Sequence, residues 1–61
     1  MSREIDEALR LRNYAEQLRI IAADRATPEN RDALLRVARD YDQAAASFEA
    51  IDRHKKAMGL R

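Results

Sequence analysis

Apolar side chains in the second half of the chain fall on one stripe. Leu34, Val37, Tyr41, Ala44, Phe48 and Ile51 step by three, four, three, four and three residues. A repeat of this kind keeps one face of an α-helix apolar and lays it along a neighbouring helix. Ala38 and Ala45 lie on one flank of the stripe and Ala33 on the other, so a partner can come close. The first half follows the same rule. Leu11, Tyr14, Leu18 and Ile21 step by three, four and three, with Ala8, Ala15 and Ala22 beside them. Arg25 takes the next position on that stripe and ends it.

The two periodic stretches are separated by Ala26-Thr27-Pro28-Glu29. Thr27 is suited to cap a helix, Pro28 fits its first turn because the missing N–H is unpaired there anyway, and Glu29 faces the positive end of the dipole. Proline also drives Thr27 out of the α region, so the first helix must stop before it. At the chain start Ser2 is an N-cap candidate, followed by Glu4, Asp6 and Glu7 in the first turns. The pattern predicts helix one over about 3–25, a turn at 26–27, helix two over about 28–56, and a frayed basic tail at 57–61 with Gly59 as the stop.

A connection this short makes the helices antiparallel neighbours. The expected fold class is all-α, an antiparallel two-helix hairpin. Its expected core is Leu11, Tyr14, Leu18, Ile21, Leu34, Val37, Tyr41, Ala44, Phe48 and Ile51. Counting back from the turn, residues whose numbers sum to about 54 or 55 should face each other. That pairs Ile21 with Leu34, Leu18 with Val37, Tyr14 with Tyr41 and Leu11 with Ala44. Asp6–Arg10, Asp32–Arg36 and Glu49–Arg53 have the i,i+4 spacing of ion pairs on an outer helix face.

Sixty-one residues without a cysteine exclude a disulfide framework and a thiolate metal site. Chains this short are usually held together by disulfides, a metal or self-association, so association gains weight. A second stripe suggests where. Ile5, Leu9, Ile20 and Ala23 cluster on the side of helix one roughly opposite the first stripe, and Leu35 lies near Ile20 in the register above. A helix with two apolar faces is usually sandwiched between neighbours. Ile5, Leu9, Ile20 and Leu35 are therefore candidate oligomer contacts, in a homodimer forming a four-helix bundle with helix one nearer its centre.

Twelve basic and eleven acidic residues leave a net charge of +1, which argues against a nucleic-acid footprint over the whole domain. The longest apolar run, Ile20 to Ala23, is far too short to span a membrane, so no membrane partner is expected. Arg3, Glu4, Asp6 and Glu7 leave no apolar region for a secretory signal, and a cytoplasmic location is the expectation.

Candidate chemistry is sparse. His54, the one histidine, sits in a basic segment with Glu49 and Asp52 off its face of the helix, and the Glu-x-x-His pattern of di-iron bundles is missing. No nucleophile–base pair, glycine-rich loop or close carboxylate dyad can be read. No cofactor, metal or enzymatic activity is expected. Tyr14 and Tyr41 fall at matching depth and read as core. Arg3, Arg10 and Gln17 recur every seven residues on helix one, and Arg53, Lys55 and Lys56 gather at the end of helix two. These six are candidate nucleic-acid contacts. The competing and favoured reading is a solvated face plus a complement to the negative end of a helix dipole.

By length, hairpin topology and expected dimer the chain is similar to the Rop-type RNA-binding hairpins. The resemblance implies a dimer that binds RNA on the face of its first helices, through an aromatic flanked by basic and amide side chains. Arg3, Arg10 and Gln17 are the residues here for that part, whereas Tyr14 turns towards the seam and Asp6 and Asp24 intrude on the face. The segments Tyr14 to Ala22 and Leu34 to Asp42, with their A-x-x-L-R-x-x-A and L-L-x-x-A-x-x-Y-D spacings, also resemble short bacterial helical-hairpin proteins, and that likeness implies no activity. The function expected is a non-enzymatic interaction and self-association module. Its partner would be another copy, or a helix docked on Ile5, Leu9 and Ile20. The alternative is a small nucleic-acid-binding regulator using the basic residues above.

Overall fold

In the computed structural model, which describes residues 2–59, the chain forms two α-helices, α1 (Arg3–Asp24) and α2 (Pro28–Ala57), packed against each other. The ends carry the capping chemistry expected of them. Ser2 Oγ accepts from the Ile5 amide at 3.1 Å, and Thr27 Oγ1 accepts from the Asn30 amide at 3.3 Å with Pro28 directly after it. Each cap satisfies a backbone donor that a helix start leaves unpaired. At the far end of α2, Gly59 adopts a φ of 72° and its amide reaches the Lys56 carbonyl at 3.1 Å. Left-handed backbone of this kind is open to glycine at little cost, which stops the helix there. Leu60 and Arg61, the end of the expected basic tail, lie outside the described residues, as does Met1.

Three residues, Arg25 to Thr27, separate the helices, and Arg31 Nε donates to the Ala22 carbonyl at 3.2 Å, holding the last turn of α1 to the start of α2. The expected register holds where side chains report on it. The Tyr14 and Tyr41 rings stand 5.8 Å apart with planes tilted by 48°. A tilted pair at this separation is a favourable aromatic geometry.

The seam itself differs from the expected one. Among the described residues the fully buried apolar side chains are Ala8, Ala15 and Ala22 of α1 and Ala38 and Ala45 of α2, with Ala15 and Ala45 at 0% exposure. Both sets step by seven, and the next position in the second set is Asp52, also buried. Larger residues are displaced from the centre line. Leu11, Leu18, Leu34, Tyr41, Ala44 and Phe48 are half-buried along its edge. Tyr14, Ile21, Val37 and Ile51, expected in the core, lie 43 to 45% exposed. The reason is close packing across a short turn. Alanine methyls leave room for the two backbones to approach, and dispersion between closely packed backbones replaces the burial of large side chains. The hairpin is thin as a result, with extents of 48 × 16 × 10 Å.

Candidate interaction surfaces

Because the alanine seam runs down the middle, the hairpin has two unlike broad sides. On one, the positions four residues after Ala8, Ala15, Ala38 and Ala45 are charged. Arg12 makes two parallel bonds to Glu49, Nε to Oε2 at 2.9 Å and one terminal nitrogen to Oε1 at 2.7 Å. Its other nitrogen stands 3.5 Å from Asp42, whose second oxygen accepts from Arg19 at 2.8 Å. Arg19 also reaches Glu16 at 2.9 Å. The paired guanidinium holds the Glu49 carboxyl below its ordinary range. These four bridging residues stitch α1 to α2 along that side.

The stripe proposed for oligomer contact lies on and beyond this charged side. Ile5 is half-buried, Leu9 and Ile20 are 51% and 55% exposed, and Leu35 is at the edge of exposure. Arg12, Glu16 and Arg19 fall between the Leu9 end and the Ile20 end, so the stripe is two small patches. The Leu35 end borders an open cleft of about 340 Å³ lined by Arg19, Ala22, Ala23, Arg31 and Leu35.

The other broad side is apolar. Tyr14 and Ile21 of α1 and Val37 and Ile51 of α2 are exposed beside the half-buried Leu11, Leu18, Leu34, Tyr41 and Phe48. At the turn end it opens into a cleft of about 300 Å³ lined by Ile21, Arg25, Ala26, Asn30, Ala33 and Leu34.

The open end of the hairpin is a polar cluster that the stripe pattern did not reveal. Asp52 occupies the seam with 4% exposure. Hydrogen bonding to Ser2, then to Lys56, pulls its carboxyl below the ordinary value of 3.8. Lys56 Nζ lies 3.1 Å from it, and Lys55 Nζ reaches Glu4 at 3.3 Å. The signal was present in the spacing of Ala38, Ala45 and Asp52, but an acid at a seam position reads as the end of an apolar stripe.

The candidate nucleic-acid contacts do not form one surface. Lys55 and Lys56 are paired with acids at the open end, and Arg10 pairs with Glu7 on its own helix. Arg3, Gln17 and Arg53 are exposed, the first two on α1 and the third near the end of α2. Glu7 replaces Asp6 as the partner of Arg10, because i,i+3 neighbours are as close as i,i+4 on a helix. Glu49 turns across the hairpin to Arg12 instead of along its own helix to Arg53, and Asp32–Arg36 is not among the ion pairs of the described residues. His54 is exposed, and among the described residues no three His, Asp or Glu side chains gather closely enough to hold a metal ion. No helix among them is long and apolar enough to cross a membrane. Comparison with known protein families, curated proteins and solved structures finds no match.

Proposed function

We propose that this chain is a non-enzymatic interaction module, a helical hairpin that self-associates as a dimeric four-helix bundle and offers its charged outer surface to a protein partner. One observation carries the reading. Among the described residues the buried apolar core consists of five alanines and no large side chain, while eight large hydrophobic residues are 36 to 60% exposed. A methyl group buries little apolar area, so the seam supplies only a small part of what a chain of this length needs for an independent fold. Large apolar patches left in water are the usual mark of an interaction site.

The test is thermal unfolding followed by circular dichroism over a range of protein concentrations, with sedimentation equilibrium on the same samples. A self-associating fold melts higher as concentration rises, because assembly is linked to folding. A melting temperature independent of concentration, with monomer mass throughout, would overturn the proposal. The nucleic-acid alternative has less support, since Arg10, Lys55 and Lys56 already face acids of the same chain. Retention on heparin that falls steeply with salt, and falls further in Arg3→Ala, would revive it.

A further inference from the structure

Resting on the self-association reading, we infer that the apolar side bearing Tyr14, Ile21, Val37 and Ile51 is covered by a second copy of this chain, docked face to face with its turn at the opposite end. The amount of exposed surface points to an occupant of that size. A folded chain of 7.0 kDa ordinarily exposes about 4,000 Å². This hairpin exposes 4853 Å². The excess is close to the roughly 800 Å² that one partner contributes to a standard protein interface. A side measuring 48 by 16 Å offers an area of that order.

The choice of side follows from chemistry. Across the other one, Arg12, Arg19, Asp42 and Glu49 are already paired with one another and stay hydrated at the surface. Covering them would strip water from four charges for no new partner. Along the apolar side the one cross-helix ion pair among the described residues is Lys55–Glu4, at the open end of the hairpin. The Tyr14–Tyr41 ring pair fixes its register, so residues sharing a layer have numbers that sum to about 55. From the turn outward the layers are Ile21 with Leu34, Leu18 with Val37, Tyr14 with Tyr41 and Leu11 with Ala44. Phe48 and Ile51 continue the stripe on α2, opposite Glu7 and Glu4. The middle of this ladder falls between the tyrosine layer and the Leu11–Ala44 layer.

The orientation follows from volume. A two-fold axis across the helices at that midpoint sets the bulky tyrosine layer against Leu11 and Ala44 of the second copy, and large faces small throughout the centre. An axis along the helices would instead stack four tyrosines in one layer and leave the next layer thin. Interiors pack at even density, which favours the first. It also brings Ile51 of the second copy over the cleft at the turn end, which Ile21 and Leu34 line. Arg25 at the rim of that cleft then lies within about a turn of Glu4 of the second copy.

The chain has no cysteine, so single cysteines can be introduced cleanly. Sedimentation equilibrium is run on the full chain, on Val37→Glu, on Ile51→Glu and on Ile20→Glu, with circular dichroism to record helix content. Burying an unpaired carboxylate should weaken dimerisation by roughly a hundredfold or more in Val37→Glu and Ile51→Glu. Ile20→Glu should dimerise like the parent. The reverse pattern would place the interface on the charged side and overturn the inference. A helical monomer from the parent chain would instead sink the self-association reading, and the inference with it. A spin label at Glu29→Cys, beside the turn, should give an inter-label distance of about 40 Å from the helical rise. A distance near 20 Å would put both turns at one end and refute the orientation. Should Val37→Glu lose its helix content, Ile51→Glu, nearer the open end, decides the question alone.

Discussion

Replacing Ala15 by leucine tests the seam directly, because the two ways of placing it predict opposite signs. Ala15 is 0% exposed and lies between the backbones of α1 and α2. Three added carbons have no space there without driving the helices apart, and overpacking of this kind costs about 1–3 kcal/mol. Spreading the helices also weakens the contacts of Ala8 and Ala22, which share the line. Were the large stripe the true centre, Ala15 would sit on a flank, and leucine there would add buried apolar surface and stabilise the fold. Helix propensity does not blur the comparison, since alanine and leucine differ by only about 0.2 kcal/mol. In a domain of this size 1 kcal/mol moves the melting temperature by about 4–8 °C, so Ala15→Leu should melt several degrees to about 20 °C lower. The assay is a circular dichroism melt at one fixed protein concentration, because self-association makes the midpoint concentration-dependent. Ala46→Leu, at an exposed position of α2, is the control and should shift stability by no more than about 0.5 kcal/mol. An Ala15→Leu variant as stable as the parent or more so would refute the alanine seam.

Other perturbations address the ends and the charged side. Thr27→Ala removes the cap of α2 and should cost about 1 kcal/mol, read in the same melt, with Thr27→Ser restoring most of it. Asp52 and Glu49 have carboxyls held below their ordinary range, so the unfolded chain binds protons before the folded one does. Their contribution is complete above the ordinary values of 3.8 and 4.5 and is lost as pH falls through the lowered folded values. Asp52→Asn should therefore flatten part of the acid limb of a stability–pH curve, and an unchanged limb would show that the Ser2–Asp52–Lys56 cluster contributes nothing. Arg12→Gln should lower the melting point slightly in low salt and hardly at all in high salt, as exposed ion pairs are screened. Equal losses at both ionic strengths would mean that Arg12 acts through packing of its stem.

The hairpin was legible because its determinants are local. Thr27-Pro28 breaks and restarts a helix by fixed backbone rules, Ser2 and Gly59 mark the outer ends, and the turn sets the register that Tyr14 and Tyr41 obey. The centre line was harder to read because one seven-residue repeat carries two parallel lines. Ala8, Ala15 and Ala22 run beside Leu11, Tyr14, Leu18 and Ile21, and a reading weighted by hydrophobicity chooses the larger set. What decides between them is a distance between backbones, which small residues permit and no single position announces. The cross-helix pairs of Arg12 and Arg19 were hidden for the same reason: rotating the seam by one position turns Asp42 and Glu49 from an outer face towards α1. In the proposed dimer the two lines have different mates. The alanines hold α1 to α2 within one chain, and the large residues they displace meet the second copy. A helix that must contact two neighbours needs two such lines side by side, and on this view the large stripe marks where the second neighbour lies.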